Sequence, residues 1–149
     1  MIAEALPEQG YASYRKTLQQ LVGIPFSAND LEIHTLITHG FPASTLLDLV
    51  AAGLIPVPQR NQIISLRALK GRAQKGQLLN SLESDRLFTY AHIFSMSKAV
   101  FGCSDKALRW LHKPKARLIG KTPAQMLSTI CGLSQVELML MQITEGYAF

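Results

Sequence analysis

The sequence predicts an all-α fold, on three observations. Apolar residues recur at three- and four-residue spacing along most of the chain. Capping residues and glycines punctuate that periodicity where helices should start and stop. Strand signals are sparse: Ile33 to Ile37 and Ile63 to Leu66 are β-branched, but each sits inside a helical period. No stretch repeats at a fixed period.

The first helix is expected from about Glu8 to Val22, with Tyr11, Tyr14, Leu18, Leu21 and Val22 on one face. Gly23 and Pro25 stop it. Ser27-Ala28-Asn29-Asp30 is a capping signature for a second helix, with Ile33, Leu36 and Ile37 inward and Gly40 as its end. Pro42 starts a third, with Leu46, Leu47 and Val50 inward and Gly53 closing it. Leu54 to Pro58 cannot be helical throughout, because each proline disfavours helix in the residue before it. Gln59 to Lys75 reads as helix again, with a break near Ile63 to Ser65. Helices, a glycine-containing turn and a basic helix in succession give the outline of a helix-turn-helix.

Asn80-Ser81-Leu82-Glu83 is a capping box that opens a long helix to about Phe101. Leu87, Tyr90, Ala91, Phe94 and Phe101 line one face, while Phe88 and Ile93 lie outside that stripe. A helix that is apolar on more than one side has more than one partner. Phe88 and Ile93 are therefore candidates for a homodimer surface; the alternative is a central buried helix of a single domain. Further on, Ser104 can cap a short helix carrying Ala107, Leu108 and Leu111, which Pro114 closes. Thr122-Pro123-Ala124-Gln125 is a second box, with proline at the first helical position. Gly132 sits where a left-handed C-terminal residue belongs, and Ser134 to Glu137 reads as a third box whose helix ends at Gly146.

A chain of 149 residues suits one compact domain or two small ones. With 48% apolar and 17% charged residues it can build a core and is not a disordered chain. No apolar run approaches the roughly 18 residues of a membrane helix, and the N-terminus lacks the basic start of a signal peptide. Cys103 and Cys131 do not make a disulfide framework and read as reduced, small buried hydrophobes of a cytoplasmic protein. The net charge of +5 is unevenly placed. Residues 1–56 carry two bases against five acids, whereas residues 57–76 carry Arg60, Arg67, Lys70, Arg72 and Lys75 with no acid. A basic stretch on a near-neutral fold suits a nucleic-acid surface. Catalysis finds no support. His34 and His39 are five residues apart and do not share a helix face, and His92 and His112 stand alone. Glu83, Asp105 and Glu137 lie singly at expected helix starts, where they favour the helix dipole. Neither an enzyme nor a metal or other cofactor is expected.

Three ordered motifs carry a family resemblance: Ala107-Leu108-x-Trp110-Leu111-x-x-Pro114, Leu118-x-Gly120-x-Thr122-Pro123, and Val136-x-x-x-Leu140-x-x-Ile143-x-x-Gly146. With Ser84-Asp85-Arg86-Leu87 and Val100-Phe101-Gly102 upstream, roughly the C-terminal half resembles the toxin-binding domain of Xre/MbcA/ParS-type antitoxins. The resemblance implies an Xre-like helix-turn-helix domain over residues 1–79 and a toxin-binding domain over 80–149. It implies a toxin of the RES type, named for its Arg-Glu-Ser residues, which depletes NAD and whose active site the antitoxin closes. It also implies operon repression through operator DNA, with a homodimer within the toxin–antitoxin complex. Ser65 to Arg72 looks like the basic segment of such antitoxins, departing from it at Ala68, where threonine is common, and at Gly71, where arginine is common. DNA contacts are expected from Arg60, Arg67, Lys70, Arg72 and Lys75; Arg67 and Lys70 share a helix face, and Arg72 is rotated away. Toxin contacts are expected from Trp110, Lys113, Lys115, Arg117, Lys121 and Glu145, with Tyr147 and Phe149 as a terminal plug. The alternative for that tail is to fold back on Trp110 or Leu140. The alternatives for the whole chain are a stand-alone repressor without a toxin, and a scaffold that localises another protein.

Overall fold

A computed structural model describes residues 1–147. They form eight α-helices: α1 (Glu8–Val22), α2 (Asp30–His39), α3 (Ala43–Ala51), α4 (Val57–Ile63), α5 (Leu66–Gln74), α6 (Ser81–Phe101), α7 (Ser104–Leu111) and α8 (Ile130–Thr144). Short 3-10 turns occupy Ile2–Ala5, Ala116–Leu118 and Ala124–Ser128. Among the described residues there is no strand, only an isolated bridge between Pro42 and Leu78. No helix among them is long and apolar enough to cross a membrane. The chain packs as two compact units, Gln19–Phe88 and Met1–Leu18 with Thr89–Phe149. That grouping differs from a division after residue 79, because the first eighteen residues pack with the C-terminal helices.

In the unit Gln19–Phe88, α2 begins with the reciprocal box the sequence signals. Asn29 Oδ1 accepts from the Glu32 amide at 2.8 Å, and Glu32 Oε2 accepts from the Asn29 amide at 2.7 Å. Only Ile33 of this helix is buried; Leu36 and Ile37, expected inward, are half-buried. Gly40 ends α2 at φ 106, and a β-carbon there would also collide with the Leu79 carbonyl. Glycine is therefore needed twice over at this position. α3 buries Leu46 and Leu49 and packs on α5. The break expected near Ile63 to Ser65 falls between α4 and α5: Ile64 is extended, and Ser65 Oγ accepts from the Ala68 amide at 3.2 Å.

The start of α6 fastens this unit together. The Asn80–Glu83 box is formed, with bonds of 2.8 and 2.9 Å. Ser84, fully buried, accepts from the Phe41 amide at 3.0 Å, and Arg86 donates to the Gln62 carbonyl at 2.8 Å. The last bond satisfies a carbonyl in the final turn of α4, one of the groups a helix end leaves without a partner. Glu83 also pairs with Arg72 of α5.

In the unit Met1–Leu18 with Thr89–Phe149, α6 is buried on every side from Tyr90 to Ser97. Ile93 is fully buried within one chain, so it offers no surface to a second copy, and the expectation that it lines a dimer interface is corrected. A residue outside the main apolar stripe of a helix is not exposed when neighbours pack on several faces. α7 starts one residue earlier than a Ser104 cap implies: Cys103 takes the extended capping position and Ser104 lies in the first turn. Cys103 and Cys131 are free thiols, but both are exposed rather than buried.

The Thr122–Gln125 box is present, with bonds of 2.8 and 3.2 Å, and it opens the 3-10 turn Ala124–Ser128. The expectation for Gly132 and Ser134 is corrected. α8 begins at Ile130 under a Thr129 cap whose Oγ1 accepts from the Gly132 amide at 3.0 Å. Gly132 is thus in the first turn of a helix, and Ser134 and Glu137 lie inside it. Gly132 serves close approach: a β-carbon there would run into the Met126 carbonyl. α8 closes at Gly146, φ 100, with the Tyr147 amide donating back to the Gln142 carbonyl at 3.1 Å.

Candidate functional site

The loop between α7 and the Ala124–Ser128 turn holds most of the residues expected to meet a partner. Five backbone bonds tie it into a compact knuckle: Leu118 and Gly120 amides to the Lys115 carbonyl, Lys115 to Lys121, Ile119 to Ala116, and Lys121 to Leu118, all 3.0 to 3.1 Å. Leu118 is buried and pins it from inside. Trp110 packs its ring against Phe101 with centroids 5.5 Å apart. Lys115 folds over the same Trp110 ring, with Nζ 5.2 Å from its centroid. Burial, and next the nearby Lys113 charge, lower the Lys115 pKa. Trp110 and Lys115 are 7% and 8% exposed, so they support the loop from within and present little surface of their own.

Lys113, Arg117, Lys121, Glu145 and Tyr147 are exposed. Arg117 Nη1 donates to Gln142 Oε1 of α8 at 2.6 Å, which fixes the loop against that helix. Phe149, expected in the terminal plug, lies outside the described residues. Sequence reasoning missed Ile119, which is 93% exposed and sits at φ 55, ψ 43. The only sequence signal there is the following Gly120, itself at φ 79.

A second missed group is buried. Tyr14 Oη lies 2.7 Å from His92 Nδ1, and His92 Nε2 lies 2.8 Å from Glu137 Oε2. A carboxylate only accepts, so Nε2 carries the proton toward Glu137, and in the neutral ring Nδ1 accepts from the phenol. Connectivity of this kind can move protons in a catalytic site. Tyr14 is fully buried and His92 nearly so, which leaves the group as a polar fastening between α1, α6 and α8. A comparable contact joins Tyr90 and His112 at 3.0 Å. Burial raises the Tyr90 pKa and lowers that of His112, so a protonated phenol donates to a neutral imidazole.

The basic residues of the other unit separate into two groups. Arg60 is 6% exposed and donates to the Ile64 carbonyl at 3.2 Å, and half-buried Arg72 is engaged by Glu83. Arg67, Lys70 and Gln74 are exposed on one face of α5, and Lys75 follows, also exposed. Gly71 lies on that same face with open space above it. Phe88, the other residue proposed for a dimer surface, is half-buried.

The class these features define is an antitoxin with a helical toxin-binding domain: residues 97–146 match the family model described as the Xre/MbcA/ParS antitoxin C-terminal toxin-binding domain. Over 147 residues the chain is also 54% identical to the antitoxin Xre of Pseudomonas putida, covering 99% of this chain and 92% of that protein. The chain belongs to the Xre family of antitoxins.

Proposed function

We propose that this antitoxin neutralises a RES-type, NAD-depleting toxin by covering its active site, and represses its own operon through a helix-turn-helix formed by α4 and α5. The observation that carries the DNA-binding reading is the α5 stripe of Arg67, Lys70 and Gln74, exposed on a helix that begins only two residues after α4. Arg67, Lys70 and Lys75 supply phosphate contacts, while Gln74 has the amide that suits an adenine edge. Arg60 and Arg72 hold the unit together instead. Two copies of the stripe read a palindromic operator as a dimer.

Arg67→Ala and Lys70→Ala should each lower operator affinity and reduce the slope of log affinity against log salt by about one. Arg72→Ala should instead lower the melting temperature, because it removes the ion pair with partly buried Glu83. Mobility shifts at several salt concentrations check both, and an unchanged slope in the Arg67→Ala/Lys70→Ala double variant would reject the stripe as a DNA surface.

For neutralisation, removal of Tyr147 to Phe149 should abolish rescue of cells expressing the toxin. Melting temperature and operator binding should both persist. Exposed Tyr147, held at the end of α8 by its backbone bond to Gln142, supports a terminal plug. Full rescue by the shortened protein would place the toxin contact elsewhere on residues 97–146.

A further inference from the structure

We infer that Ile119 is an apolar knob that enters a socket on the toxin, and that the rim of this socket is acidic. The inference rests on the reading of residues 97–146 as the toxin-binding domain and names how its surface engages. Three independent features converge on this residue. Its backbone occupies the left-handed region at φ 55, ψ 43, which β-branched residues adopt only under strain. Its side chain is 93% exposed, so the strain is not repaid by packing within the chain. Around it, the five backbone bonds of the 115–121 loop, buried Leu118 and the Arg117–Gln142 bond hold the tip in place. Strained residues persist where their surroundings over-determine them, and they cluster at ligand clamps.

A knob held this way loses little freedom on docking, which is how preorganisation strengthens binding. Its setting specifies the partner's chemistry. Between Asp105 and Glu137 the chain carries Lys106, Arg109, Lys113, Lys115, Arg117 and Lys121 and not one carboxylate. Lys113, Arg117 and Lys121, all exposed, form a cationic collar on the loop that carries Ile119. An apolar centre ringed by polar groups is the arrangement of a binding hot spot. The collar calls for carboxylates around the socket, and it disfavours a second copy of the same loop, which would set cation against cation. A nucleic acid would satisfy the collar but has no use for the knob.

The test uses this chain and its cognate RES-type toxin, with affinity from titration calorimetry. Ile119→Gly removes the side chain and the strain together; Ile119→Asn keeps a side chain that tolerates the left-handed region. Both should keep or raise the melting temperature and leave operator binding unchanged, while toxin affinity falls by about tenfold or more. Lys113→Glu/Lys121→Glu, which spares the Arg117–Gln142 bond, should slow association and weaken its salt dependence. If the wild type binds the toxin and both Ile119 variants bind within about twofold of it, the knob is wrong while the toxin-binding reading stands. If affinity falls only together with melting temperature, Ile119 is a folding residue and the inference fails. If the loss appears in operator binding instead, the loop serves DNA. A wild type that does not bind this toxin overturns both readings.

Discussion

His92→Ala is expected to destabilise the protein by about 3 to 5 kcal/mol, among the largest effects of any single substitution. The substitution opens a cavity in the most buried stretch of α6. It also removes the His92 Nδ1 contact of the buried Tyr14 phenol and takes the imidazole N–H from Glu137. Each of the two hydrogen bonds lost costs about 0.5 to 1.5 kcal/mol, and the cavity left by the ring adds about 2 kcal/mol or more. At about 2 to 4 °C per kcal/mol for a chain of this size, the midpoint should fall by roughly 10 °C. Tyr14→Phe is the milder companion, because it deletes one hydroxyl and leaves the His92–Glu137 bond in place. In a double-mutant cycle the Tyr14 and His92 substitutions should couple, since they remove one shared hydrogen bond. A His92→Ala midpoint within two or three degrees of wild type, read by circular dichroism, would show that the fastening contributes little.

That fastening was invisible in the sequence for a plain reason. Tyr14 and His92 are 78 residues apart, and His92 and Glu137 are 45 apart. Periodicity placed Tyr14 on an apolar face and said nothing of what its hydroxyl would meet. Local signals fared far better. The bounds of α1 follow from its apolar spacing and from Gly23, which sits at φ 71 beyond the last turn. The break before α5 follows from Ser65, whose side chain bonds the Ala68 amide as a cap should.

Charge was legible as composition but not as surface. Arg60, Arg67, Lys70, Arg72 and Lys75 look alike in the sequence, and only packing separates them. Arg72 faces away from Arg67, as helical spacing implies, but its partner Glu83 belongs to another helix and also closes a capping box there. The carboxylate does both jobs. The loop behaves the same way: its lysines look alike in sequence, yet Lys115 is buried over Trp110 and Ile119 stands at the tip. No propensity places isoleucine in the left-handed region, so that position could come only from the structure.

Glycines were the most ambiguous letters, and they supply the second large prediction. Gly132 reads in sequence as a helix stop, because a glycine that permits close approach and one that permits a positive φ look identical there. Gly132→Ala should destabilise by about 2 kcal/mol or more: relief of glycine's helix penalty returns at most about 1 kcal/mol, against overpacking that costs about 1 to 3 kcal/mol and more where the neighbour cannot move. Here the neighbour is the Met126 backbone carbonyl, in the turn that packs on α8, so the collision cannot be relieved by rotating a side chain. The same substitution at Gly71 should have the opposite sign. Gly71 lies inside α5 at an ordinary helical φ with nothing near its absent β-carbon, and Gly71→Ala should stabilise by up to about 1 kcal/mol. Thermal melts of the two variants side by side decide it. A Gly132→Ala protein as stable as the Gly71→Ala protein would mean that the turn and α8 are not in the close contact described.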